Sequence, residues 1–155
     1  PLLNLPGDNV YPIFSMFIGE YQHNLDEKGR LAIPVKFREG LKKGAVATKG
    51  LDNCLFLYTK EEWQKSAEKL AGLPIKARAH TRLMLAGAMD MEFDSQGRIT
   101  LPEYLRSFAG LKKKVIIAGI YNRIEIWDEA AWQTYKTSTE KDNAKIAETL
   151  GELGI

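Results

Sequence analysis

One stretch of this chain occurs twice. Asp26-Glu-Lys-Gly-Arg-Leu-Ala-Ile-Pro34 lies over Asp94-Ser-Gln-Gly-Arg-Ile-Thr-Leu-Pro102, an offset of 98 − 30 = 68. Asp, Gly, Arg and Pro coincide, and apolar residues follow each arginine at the same places, Leu31/Ile99 and Ile33/Leu101. Downstream, Gly40-Leu-Lys-Lys43 lies over Gly110-Leu-Lys-Lys113, Asn53-Cys-Leu-Phe-Leu-Tyr58 over Asn122-Arg-Ile-Glu-Ile-Trp127, and Trp63 over Trp132. A repeat of this extent constrains the fold more than any single motif. Each copy must build the same supersecondary unit and find cover for the same apolar face.

The unit reads as strand, turn, strand, helix, strand, strand. Tyr21 to Leu25 and Met89 to Phe93 are short runs with some alternation, hence strands. Asp-x-x-Gly-Arg is a turn: Asp caps its own backbone and Gly supplies a positive φ without a steric penalty. Leu31 and Ile33 alternate around Ala32, and Ile99 and Leu101 around Thr100, giving a second strand with one buried face. Pro34 and Pro102 end that strand and suit a helix's first turn. The short helices that follow are predicted to bury Phe37 and Leu41, and Leu105 and Phe108. Two further strands are expected at 45–48 and 54–58 in the first copy, and at 115–118 and 124–127 in the second. Thr59 and Glu62 form a capping box for a helix carrying Trp63, Ala67 and Leu70. Asp128 is expected to cap the equivalent helix of Trp132 and Tyr135. A connecting helix is predicted over 75–88, with Leu83 and Met84 available for packing, and 143–153 reads as a weakly amphipathic docked helix or frayed end.

Composition narrows the function classes. With 45% hydrophobic and 27% charged residues, the chain has the mixture of a globular domain. Its longest apolar runs, such as Val115-Ile-Ile-Ala118, are far below the roughly 18 residues that span a bilayer. One cysteine, Cys54, cannot form an internal disulfide, and no secretory signal is visible, so the cytoplasm is the expected compartment. A net charge of +2 decides little, because affinity for phosphates depends on clustered rather than total charge. Residues 1–15, with three prolines and no Lys or Arg, read as a loosely held extension outside the repeat.

No catalytic constellation is evident. His23 and His80 lie in different elements without metal-ligand spacing, no phosphate-binding glycine loop is present, and Cys54 aligns with Arg123, which points to a structural thiol. No enzyme, metal, cofactor or small-molecule substrate is therefore expected. The feature that both copies preserve most sharply is Asp26…Arg30 and Asp94…Arg98. A structural reading makes it a turn clasp, although an exposed pair contributes little to stability. A functional reading puts a carboxylate-oriented guanidinium at the mouth of a hairpin, able to contact phosphates or fork onto a guanine edge. The two readings are compatible. Lys28 and Lys36 place extra positive charge near the first turn, whereas Gln96 and Glu103 stand near the second, so the first is expected to be the stronger nucleic-acid face. Lys42-Lys43 and Lys112-Lys113-Lys114 read as solvated turn charges, and Arg78 and Arg82 as an interface or a wet helix face.

These residues carry a resemblance. Met16-Phe-Ile-Gly, the Asp26–Pro34 segment, Arg78…Arg82-Leu-Met-Leu-Ala-Gly87, Asp94-Ser-Gln-Gly-Arg98 and Glu125-Ile-Trp-Asp-Glu129 together resemble the MraZ family of bacterial transcriptional regulators, built from two AbrB-like (SpoVT-AbrB) motifs. The likeness runs from Met16 to about Trp132 and extends weakly into the tail. It implies an α+β, mainly β fold: a double-psi, swapped-hairpin AbrB-like barrel formed by two tandem repeats, with flanking helices. It also implies a homo-oligomeric ring, nucleoid-associated, that binds promoter repeats of double-stranded DNA and regulates the division and cell-wall gene cluster. By position, Arg30 becomes the leading DNA contact with Arg98 its counterpart, Lys28 and Lys36 flank, and Asp26, Gly29, Asp94 and Gly97 shape the turns.

The implied organisation is an extension at 1–15, repeat 1 at 18–62, linking helices at 63–88, repeat 2 at 89–132 and a C-terminal helix or tail at 133–155. The alternative function is a ring-forming scaffold without sequence-specific DNA binding. An antitoxin of the same motif class fits less well, since two full motifs stand in one chain.

Overall fold

A computed structural model describes residues 16–155; the extension expected at 1–15 lies outside the described residues. The first repeat supplies β1 (Phe17–Asn24), β2 (Arg30–Ala32), α1 (Val35–Leu41), β3 (Ala45–Lys49), β4 (Leu55–Thr59) and α2 (Lys60–Ala71). A 3-10 turn at Ile75–Ala77 leads into α3 (Arg78–Ala86). The second repeat supplies β5 (Met89–Met91), β6 (Arg98–Thr100), α4 (Glu103–Phe108), β7 (Lys114–Tyr121), β8 (Ile124–Asp128) and α5 (Glu129–Lys141), and α6 (Asn143–Glu152) follows. The architecture is mixed α+β, with strands building the core and helices laid against it.

The two repeats exchange strands. A six-stranded antiparallel sheet runs β1-β7-β8-β4-β3-β5, and β2 pairs with β6 in a separate two-stranded ribbon. Swapping every strand for its counterpart in the other repeat reverses this order and changes nothing else. The described residues thus carry a pseudo-twofold axis, passing between β4 and β8 and between β2 and β6. Among the described strands, β3·β4 and β7·β8 pair within one repeat, whereas β1·β7, β3·β5, β4·β8 and β2·β6 all cross. Either repeat alone would leave these edges unpaired, which is why the unit comes twice.

Alternation along the strands sorts side chains onto two faces. Ala45, Ala47, Leu55, Leu57, Val115, Ile117, Ile124 and Ile126 point to an inner core shared with Leu31, Ile33, Ile99 and Leu101. Each Val, Leu or Ile among them contributes roughly 1.5–3 kcal/mol on burial. Phe56, Tyr58, Ile116 and Trp127 point to the other face, where Leu70 of α2 and Met84 of α3 close a second cluster. Because both faces are covered, β4 and β8 are buried along their whole length.

The helices match the expected pattern with three differences. Phe37, Leu41 and Leu105 are fully buried, but Phe108 is only half-buried at the rim. Thr59 caps α2 by accepting the Glu62 N–H at 3.0 Å, as the capping box predicts. Asp128 does not cap α5: its carboxylate accepts the Lys112 backbone N–H at 3.1 Å and ties the helix start to the neighbouring loop. The connecting helix forms over 75–86, its first turn 3-10, and of its two apolar candidates only Met84 is buried while Leu83 is exposed. The C-terminal segment forms α6, which buries none of its residues.

Candidate functional site

Each Asp-x-x-Gly-Arg segment closes by the same set of bonds. In the first, Asp26 Oδ1 accepts the backbone N–H groups of Lys28 (2.9 Å) and Arg30 (2.8 Å), and Asp26 Oδ2 accepts Arg30 Nε at 2.6 Å. In the second, Asp94 Oδ1 accepts Gln96 N and Arg98 N, both at 2.9 Å, and Asp94 Oδ2 accepts Arg98 Nε at 2.8 Å. Backbone bonds complete the turns, from Gly29 N to Asp26 O and from Gly97 N to Asp94 O, each 3.0 Å. Gly29 and Gly97 adopt φ of +80° and +75°, the left-handed region that glycine enters freely. Hydrogen bonds hold both aspartates below the usual carboxylate range: first that from the arginine backbone N–H, then those from its side chain and from the residue at the apex. The carboxylates therefore stay ionised and keep the guanidiniums oriented.

Of each guanidinium, these bonds use only Nε. Among the described residues, the terminal nitrogens of Arg30 and Arg98 have no hydrogen-bond partner. Both side chains are about a third exposed, at 34% and 27%. The ribbon register pairs Arg30 with Thr100, Leu31 with Ile99 and Ala32 with Arg98. Leu31 and Ile99 are fully buried beneath it, so Arg30, Ala32, Arg98 and Thr100 form its outer face. Diagonal neighbours on such a face stand roughly 7–8 Å apart. The two arginines are 68 positions apart in sequence (98 − 30 = 68) and adjacent on one small surface.

Strand exchange decides what surrounds each turn. Leu101 N donates to Gly29 O at 2.8 Å, so the second repeat's chain enters α4 beside the first turn. Ile33 N donates to Gly97 O at 3.1 Å, so the first repeat's α1 begins beside the second turn. This corrects the sequence expectation for Lys36. It is exposed on α1, the helix seated at the second turn, while Glu103 opens α4 at the first. Lys28 is exposed at the apex of the first turn, as expected.

Two further basic residues belong to the site and escaped the sequence reading. Arg38 Nε donates to Ile33 O at 2.7 Å, and Arg106 Nε donates to Leu101 O at 2.9 Å. Each guanidinium fills the space over the other repeat's turn glycine. A Cβ built on Gly29 would meet Leu101 O at 2.7 Å and Arg106 Nε at 2.9 Å, and one on Gly97 would run into Arg38. The signal was present: 106 − 38 equals the repeat offset of 68. His23 lies near Arg38 and is held below its ordinary pKa by burial and then by the Arg38 charge.

Other groups read as structural. Cys54 is buried and its thiol pKa is pushed far up, chiefly by burial, so it is not a thiolate. Arg123 stacks 4.6 Å over Phe56 and pairs with Glu125, which also accepts Trp127 Nε1 at 3.1 Å. Glu20 accepts Trp132 Nε1 (3.0 Å) and Lys136 Nζ (3.1 Å), which anchors α5 to β1. No helix among the described residues is long and apolar enough to cross a membrane.

Comparison with known proteins is consistent with this two-fold build. The family model for the MraZ protein matches twice, over residues 16–83 and 84–152. The transcriptional regulator MraZ of Acetivibrio thermocellus is 49% identical over 143 residues, covering 90% of this chain and 100% of that protein. Those of Halothermothrix orenii (49%) and Natranaerobius thermophilus (47%) align over the same shares.

Proposed function

The chain belongs to the MraZ family, and on that premise we propose that it is a transcriptional regulator that grips double-stranded DNA with the β2–β6 ribbon. The observation that carries this reading is the pair of arginines on one ribbon face, each clasped through Nε with terminal nitrogens that are unpartnered among the described residues. A two-stranded ribbon fits the major groove of B-DNA, and a guanidinium presented there forks onto guanine O6 and N7 or onto a phosphate. Arg30 and Arg98 are the base or phosphate contacts. Asp26 and Asp94 orient them, Gly29 and Gly97 let the turns close, and Lys28 and Lys36 add charge at opposite ends of the ribbon.

The strand exchange and pseudo-twofold order support an AbrB-like swapped-hairpin barrel made within one chain. Assembly into a ring would multiply this small basic surface, so that several weak contacts to promoter repeats add as avidity. Exposed Leu150, Leu153 and Ile155 at the C-terminal end favour self-association of that kind. The proposed target is the division and cell-wall gene cluster, including the chain's own promoter. The same exposed residues would also serve a ring that only scaffolds other proteins, and one titration separates the two readings. A gel shift compares wild type and Arg30→Ala on the DNA upstream of the chain's own gene and on a scrambled duplex. A regulator prefers the upstream duplex and loses it in the variant; equal binding to both duplexes supports the scaffold, and equal binding by both proteins removes Arg30 from the site.

A further inference from the structure

The repeated Gly-Leu-Lys-Lys segments had no role beyond solvated charge, yet strand exchange carries the second of them to the first repeat's turn. Leu25, which enters the first turn, donates its N–H to Lys113 O at 2.8 Å. Beside that turn lies a cleft of about 510 Å³, floored by Leu25 and Leu111. Asp26 and Glu27 of the first repeat form one rim; Arg106, Lys112 and Lys113 of the second form the other. Arg106 is held by its Nε bond to Leu101 O, so its position is fixed. Lys112 and Lys113 are exposed and, among the described residues, form no ion pair. In the first repeat Glu39 pairs with Lys42 at 2.6 Å, whereas Ser107, Phe108 and Ala109 fill the stretch between Arg106 and Gly110, without a carboxylate.

From this geometry we infer that the cleft is a composite phosphate site, in which Arg106, Lys112 and Lys113 clamp a backbone phosphate of the strand that passes Arg30. The inference rests on the DNA-binding reading and deepens it: the contact surface of one turn is assembled from both repeats. Asp26 does not oppose the anion, because its charge is taken up by Arg30 at 2.6 Å. Glu27 is exposed on the rim and does oppose it. Phosphate contacts fix position and register rather than sequence, so their loss weakens binding to all duplexes alike.

The test measures DNA affinity against salt with the full chain, on the upstream duplex and on a scrambled duplex of equal length. Lys112→Ala/Lys113→Ala is expected to weaken both several-fold and to reduce the slope of log K against log salt by about 1. Glu27→Gln is expected to tighten both. Lys65→Ala/Lys69→Ala, which removes the same charge from α2, is expected to keep the wild-type slope. A wild-type slope in Lys112→Ala/Lys113→Ala, or an equal fall in the α2 variant, overturns the clamp. If wild type binds neither duplex, or Arg30→Ala binds as wild type does, the DNA-binding reading of the ribbon falls instead.

Discussion

The two Asp-x-x-Gly-Arg turns are nearly identical inside and different outside. Their four defining hydrogen bonds agree in partner and closely in length, from the bidentate use of the aspartate to the glycine N–H that closes the loop. Their surroundings diverge. The first turn carries Glu27 and Lys28 where the second has Ser95 and Gln96. The first is packed by Arg106 and α4, and the second by Arg38 and α1. The repeat preserves what builds a turn, and strand exchange then furnishes each turn with neighbours from the other copy. A basic residue close in sequence to one turn therefore lies beside the other, as Lys36 does.

The comparison can be broken most forcefully in the ribbon. Leu31→Ala and Ile99→Ala each remove a fully buried side chain from the same cross-strand pair. Each is expected to cost about 3 kcal/mol, within the usual 2–5 for such truncations. Because the two sites touch, the double variant should be non-additive by about 0.5 kcal/mol or more in denaturant unfolding. Strict additivity would mean that the turns are independent units.

Next in size come the turn glycines. Both occupy positive φ, where a Cβ is strained by roughly 1–2 kcal/mol. At Gly29 the new Cβ also meets the Leu101 backbone oxygen, whereas at Gly97 it meets the side chain of Arg38. Gly29→Ala should thus lower the melting temperature more than Gly97→Ala. The reverse order would show that Arg38 yields less than the backbone does.

Binding sharpens the contrast further. Arg30→Ala and Arg98→Ala are each expected to lose about 1–3 kcal/mol of DNA affinity. Arg30 should lie at the upper end, since Lys28 and the cleft of Arg106, Lys112 and Lys113 adjoin its turn. Anisotropy titrations on the upstream duplex report both values; a larger loss at Arg98 would invert the ranking of the two turns.

The smallest effect is in pH. Both aspartates have folded pKa values below the ordinary 3.8. A depressed carboxylate contributes stability above its unfolded pKa and loses it as pH falls through the folded value. Amide signals of Lys28, Arg30, Gln96 and Arg98 should accordingly hold their positions from neutral pH down to about 4 and shift only below the usual carboxylate range. A shift beginning near pH 5 in either turn would mean that its clasp is open in solution.

Residue type and spacing settle what is local. The two turns, their glycines, the alternating strands, the Thr59 cap and the buried identities of Leu31, Ile33, Ile99 and Leu101 all follow from period and residue type within a few positions. The duplication and the family membership were legible for the same reason, since both are patterns along the chain. Capping by Asp128 was misread because its carboxylate has a choice between its own helix and the Lys112 N–H, and sequence carries no information on that competition. Only the tertiary structure decided which repeat serves which turn. Pairing of β1 with β7, β2 with β6 and β3 with β5 crosses the repeats because edge strands need partners that their own unit does not provide. That long-range pairing set Arg30 beside Arg98, moved Lys36 to the far end of the ribbon, and brought Arg38 and Arg106 over glycines 59 and 77 residues away (97 − 38 = 59; 106 − 29 = 77).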